Sequence, residues 1–188
     1  MRSSLCIVTS AIMLIGCGGT SEKKSGDTGK IDKIVAVCEE TAKSISENRA
    51  QLSNATDANQ LSGLAAKEKA LLTTMDEKLT ALLGGKDARI PLPVTTNDSV
   101  RINYNQALLG SPSLQNGEPY LHIALKGFAR GELPDVVEYT VVLVDDKGAP
   151  LVKKKSSFFK PPQLTDTLIG GTMIKGSELK GVAGVRIE

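Results

Sequence analysis

Between Ile31 and Leu83 the chain carries no proline and no aromatic residue, whereas all six aromatic side chains, Tyr104, Tyr120, Phe128, Tyr139, Phe158 and Phe159, lie beyond Gly84 and Gly85. A segment rich in Ala, Leu, Lys, Glu, Ser and Thr favours helix, and one with aromatic and β-branched runs between turn residues favours strands. The 188 residues, 19.8 kDa, thus divide into a helical part and a β part, with an expected boundary at residues 85/86. Pro91 and Pro93 read as an extended connector just past it.

In the helical part, Ile31, Val35, Cys38, Ala42, Ile45 and Leu52 recur at the 3–4 spacing of one helix face. Continued past Leu52, that phase lands on Thr56, Asn59 and Gly63, and the seam fails. A second seam in another phase, Leu61, Ala65, Leu72, Met75, Leu79 and Leu82, runs up to Gly84. The slip falls on the polar residues 53–59, where Asn, Asp and Thr cap and turn. Residues 31–85 therefore read as an antiparallel helical hairpin, with one unbroken helix as the alternative. Two helices alone bury such seams poorly, so the seams must meet the rest of the chain or a second copy.

The β part shows apolar runs at 100–104, 120–128, 136–144, 150–158, 167–174 and 182–187. Six or seven short strands in residues 86–188 read as an Ig-like or fibronectin-like antiparallel β-sandwich, without the Cys, Trp, Cys pattern of true immunoglobulin domains. The expected class is α+β. Leu121, Ile123 and Leu125 alternate with His122, Ala124 and Lys126, as on a strand with one buried face. Residues 136–144 are apolar on nearly every position and want cover on both sides; the hairpin is the nearest candidate, and a central strand with β-branched residues on its outer face is the plain alternative.

Candidate chemistry is sparse. His122 is the single histidine and has no partner motif, so it reads as a half-exposed strand residue. Asp145 and Asp146 lack the further oxygen ligands that Ca²⁺ needs and read as turn residues. The pairs Gly84-Gly85 and Gly170-Gly171 lack the pattern of a phosphate loop. No enzyme signature, cofactor site or metal site is read. With 23 basic against 21 acidic residues, nothing marks a nucleic-acid binder. Lys153, Lys154 and Lys155 form the one basic run of the body, followed by Phe158 and Phe159; adjacent strand residues face opposite ways, so one ring should point outward. These five residues are the candidate partner contacts, against the plain reading of lysines that guard an edge strand.

The first seventeen residues, MRSSLCIVTSAIMLIGC, place one basic residue before an apolar stretch of eleven, Leu5 to Ile15, too short for a comfortable membrane span. Leu14, Ile15, Gly16 and Cys17 resemble the lipobox of bacterial lipoproteins in all four positions. The resemblance implies that residues 1–16 are a removed signal peptide and that the Cys17 thiol carries a diacylglycerol, the further N-acyl chain staying open. Two acyl chains suffice for stable anchoring. In Gram-negative lipoproteins an Asp after the lipidated cysteine marks inner-membrane retention; Gly18 stands here, which favours the outer membrane if the source is Gram-negative. Residues 17–30 then form a lipidated, flexible tether of about 20 Å reach. Cys38 is left as the sole thiol, which rules out an intramolecular disulfide and suits a buried core position. The expectation is a membrane-anchored, non-enzymatic envelope module holding another envelope protein, with a self-associating helical spacer in an oligomeric assembly as the alternative. Partner identity, pathway and oligomeric state stay open.

Overall fold

A computed structural model describes residues 25–115, 117–160 and 168–188. Two helices come first, α1 (Ser25–Ser53) and α2 (Ala58–Leu83). α1 begins six residues before the sequence boundary at Ile31: the buried Ile31, Ile34 and Val35 seat the helix, and propagation extends it back through Gly29. The break is where the two seams lose phase. Asp57 caps α2, its side chain accepting from the Asn59 amide at 3.4 Å, and Gly84 ends it in the left-handed region at φ 97°. The helices are antiparallel: Glu40 meets Lys78 and Arg49 meets Glu68, so residues late in α1 face residues early in α2. Asn48, 1% exposed, donates to the Leu64 carbonyl at 2.9 Å.

The strands follow as β1 (Ile90–Leu92), β2 (Val94–Thr96), β3 (Ile102–Gln115), β4 (Glu118–Ala129), β5 (Val136–Val144), β6 (Pro150–Phe159), β7 (Leu168–Lys175) and β8 (Gly184–Ile187), with a 3-10 turn (Gly176–Leu179) after β7. They form two four-stranded sheets, β1-β3-β4-β7 and β2-β8-β5-β6. β1 and β2 lie on the residues expected to be connector. The chain crosses from one sheet to the other at Pro93, pairing antiparallel with β3 on one side and parallel with β8 on the other. Proline suits these positions because both are sheet edges. β3 is far longer than residues 100–104; Asn105 and Ser111 are extra residues against β4, and the bulge at Asn105 shifts the phase so that Tyr104 before it and Ala107 and Leu109 after it all point inward.

The inner faces meet in one core that contains Ile102, Tyr104, Leu109, Leu121, Ile123, Leu125 and Ile174 from the first sheet and Val137, Tyr139, Val141, Leu143, Val185 and Ile187 from the second. The Tyr104 and Tyr139 rings, 5.4 Å apart, link the two layers. The chain is thus α+β, with a helical hairpin before a sandwich-like pair of sheets. The strand order is not that of an immunoglobulin domain, in which the second and third strands lie in opposite sheets. Here β3 and β4 are neighbours in one sheet, because the turn at Gly117, φ 81°, folds them into a direct hairpin.

The same core takes in Ile31, Ile34, Val35, Cys38, Met75, Leu79 and Leu83 from the helices. Their contacts fall on the 3-10 turn, β4 and β3, so the hairpin closes one end of the first sheet. It does not supply the outer cover of β5. Within the second seam, Met75 and Leu79 are buried, but Leu83 takes the place expected of Leu82, while Ala65 and Leu61 are exposed on the part of α2 nearest the turn.

Candidate partner-binding face

Strand β6 has the sequence PLVKKKSSFF, and its side chains alternate between the two faces of the second sheet. Toward the first sheet, Lys154 pairs with Glu178 of the 3-10 turn at 2.7 Å, Ser156 donates to the Gly171 carbonyl at 2.7 Å, and the Phe158 ring lies 6.4 Å from that of Tyr139. Outward stand Leu151, Lys153, Lys155, Ser157 and Phe159. The lysine run and the phenylalanine pair are therefore split. Lys154 and Phe158 face the first sheet and are half-buried; Lys153, Lys155 and Phe159, the last 81% exposed, face outward.

On β5 the outward residues are Val136, Glu138, Thr140, Val142 and Val144. Val142 is fully buried although it faces away from the core, and the register explains how: Lys153 and Arg186 stand directly opposite it on β6 and β8. Cross-strand neighbours lie within about 5.5 Å at Cβ, so the two long aliphatic stems cover the valine. Glu188 ties their heads together, meeting Lys153 Nζ at 3.2 Å and Arg186 Nε at 3.0 Å, and these bonds hold its carboxyl below the ordinary range. At the other end of the strand pair Val136 and Phe159 face each other with no such lid, and Val136 is 42% exposed. Between the two lies a shallow polar groove lined by Glu138, Thr140, Lys155, Ser157 and Glu188.

The Tyr139 hydroxyl accepts from the Gly171 amide at 2.9 Å and donates to its carbonyl at 3.2 Å. A Cβ on Gly170 would stand 2.6 Å from the Tyr139 hydroxyl and 3.0 Å from that of Tyr104, so the glycine pair serves close approach of sheet and ring. Burial and then the neighbouring Tyr139 push the Tyr104 phenol well above its ordinary value. His122 is half-buried on the outer face of the first sheet, and burial followed by the charge of Arg89 lowers its pKa, which favours neutral imidazole. Asp145 accepts from the amides of Lys147 and Ala149, a turn in which the side chain mimics a backbone acceptor. A second cleft, of about 640 Å³, lies between the end of α2 and the first sheet, with Asp76, Glu77, Asp87, Lys86 and Arg89 on its walls; Arg89 donates to the Lys86 and Ala88 carbonyls.

Cys17 lies outside the described residues. Cys38 is 2% exposed, and burial, aided by the charge of Glu39, pushes its thiol up to about 11. Among the described residues there is no cluster of three or more metal-ligating side chains, and no helix long and apolar enough to cross a membrane. Sequence reasoning missed Glu178 and Glu188, which decide which lysines are free, because each lies more than 20 residues from its lysine. No protein-family model matches the chain, and no curated protein or solved structure is similar to it.

Proposed function

We propose that the protein is a lipid-anchored module of the bacterial envelope whose two-sheet body holds another envelope protein on the outer face of β5 and β6. The observation that carries the anchor is the run Leu14, Ile15, Gly16, Cys17, which matches a lipobox at every position. Lipid on Cys17 would tie the helical end of the body to a membrane surface through a short tether, in the outer membrane if the source is Gram-negative. The fold part of this reading is the general two-layer layout of Ig-like and fibronectin-like domains, without their strand order. What supports a binding role is the pairing of exposed Phe159 and Val136 with Lys153 and Lys155 on one face.

The alternative, a self-associating helical spacer, asks for an apolar seam open to a second copy. Against it, most of the seam is spent on the chain's own sheets, and Leu61 is the exposed large apolar residue of the described helices. Two linked measurements test the proposal. Fatty-acid labelling of the native protein should be lost in Cys17→Ser, and an envelope protein recovered with the detergent-solubilised chain should be lost in Phe159→Ser. Labelling that survives Cys17→Ser removes the anchor. Recovery of nothing but further copies of the chain favours the spacer.

A further inference from the structure

Strand β6 is the edge of its sheet: it pairs with β5 and, among the described residues, with no strand on its other side. Every second residue of such an edge turns its N–H and C=O away from the neighbour, a ready template for another strand. Of the five exposed large apolar side chains among the described residues, Leu61, Phe128, Val136, Leu151 and Phe159, three lie on this strand or directly beside it. Leu151 and Phe159 stand at the two ends of the outer face, about 26 Å apart at roughly 3.3 Å per residue, with Lys153 and Lys155 between them.

We propose that the β6 edge receives an extended, acidic segment of a partner protein by strand addition. The inference rests on the reading of the body as a binding module and names the chemistry of what is bound. Charge supplies the choice of occupant. β6 carries three lysines and no acid. Glu178 neutralises Lys154, and Glu188 is shared between Lys153 and Arg186, while Lys155 is exposed and has no ion-pair partner among the described residues. Carboxylates two residues apart on an added strand would face Lys153 and Lys155, and apolar residues at its ends would cover Leu151 and Phe159. A second copy of β6 is the wrong occupant, since antiparallel or in-register parallel pairing sets the lysines against one another. An anionic bilayer fits less well: the lysines are central with the apolar residues at the ends, and Glu138 and Glu188 share the face.

The test uses the full chain in phosphatidylcholine nanodiscs and two nine-residue peptides, Ile-Thr-Glu-Thr-Glu-Thr-Thr-Thr-Leu and the same peptide with Lys for both Glu. Amide hydrogen exchange of β6 is the readout. The acidic peptide should slow exchange along β6 and the lysine peptide should not. Lys155→Glu should weaken the acidic peptide by roughly tenfold and admit the lysine peptide. Because Lys155 is exposed and has no ion-pair partner among the described residues, the variant keeps its fold, and Phe159→Ser serves as a second, charge-neutral variant that should also weaken binding. Equal effects of the two peptides, or no effect of either, overturn the proposal. So does protection of β6 in phosphatidylglycerol nanodiscs without peptide, which assigns the face to the membrane. The module reading fails separately, if no envelope protein is recovered with the chain or if Phe159→Ser leaves its recovery unchanged.

Discussion

Replacing Ile34 with alanine should unfold the sheets as readily as the helix that carries it. Ile34 is fully buried on α1, in the core cluster that also holds Leu179 of the 3-10 turn and Ile174 and Leu121 of the first sheet. Truncating a buried isoleucine to alanine costs about 2–5 kcal/mol, for the lost transfer energy and the cavity left behind. The protein carries its own pair of probes. Tyr104, Tyr120 and Tyr139 all lie on strands and the chain has no tryptophan, so intrinsic fluorescence reports the sheets, while ellipticity at about 222 nm reports chiefly α1 and α2. With a urea dependence of about 2–3 kcal/mol per M, near the upper part of the range for small proteins, both midpoints should fall together by roughly 1–2 M. A tyrosine transition that stays in place while the helical signal moves would refute the shared core, and with it the claim that hairpin and sheets unfold as one unit.

Three further outcomes follow from particular contacts. Gly176→Ala would put a methyl group into the space of Cys38 Sγ and should cost about 1–3 kcal/mol, less in a Cys38→Ala background, with the coupling read from a thermal double-mutant cycle. The Cys38 thiol ionises near 9 when unfolded and near 11 when folded, so stability should fall as pH rises across that interval, by up to about 1.4 kcal/mol per unit from this group, and Cys38→Ala should flatten that part of the profile. Phe159→Ser should change the stability measured by urea unfolding by no more than about 0.5 kcal/mol, because its ring is 81% exposed; a large loss would mean that the ring is structural.

The hairpin was legible because a period of 3.6 is a local property: the first seam fails at Thr56 and Asn59, and the helix ends at Ser53. The strand at Val136–Val144 was equally plain, since β-branched residues leave little choice of backbone. The second half of β3 was hidden. Gly110, Pro112 and two serines have weak strand preference, and they lie in a strand because β4 supplies the ladder and bulges absorb the mismatch. β1 and β2 were hidden for the same reason, as three-residue edges around Pro93 exist by virtue of β3 and β8. The seams on the helices showed that they must be buried but not where, and the end of a sheet and its outer face ask for the same apolar stripe. The candidate face was half legible. Alternation put one phenylalanine outside, but which lysines are occupied depends on Glu178 and Glu188, which reach β6 through tertiary folding alone.

The intact mass of the native protein, extracted in detergent from its own membrane, tests the anchoring claim most directly. The account predicts a chain that begins at Cys17, lacking residues 1–16 and heavier than the bare polypeptide by a diacylglyceryl group, with or without an added N-acyl chain. A mass equal to the unmodified 188-residue chain, with Met1 at its terminus, would contradict it.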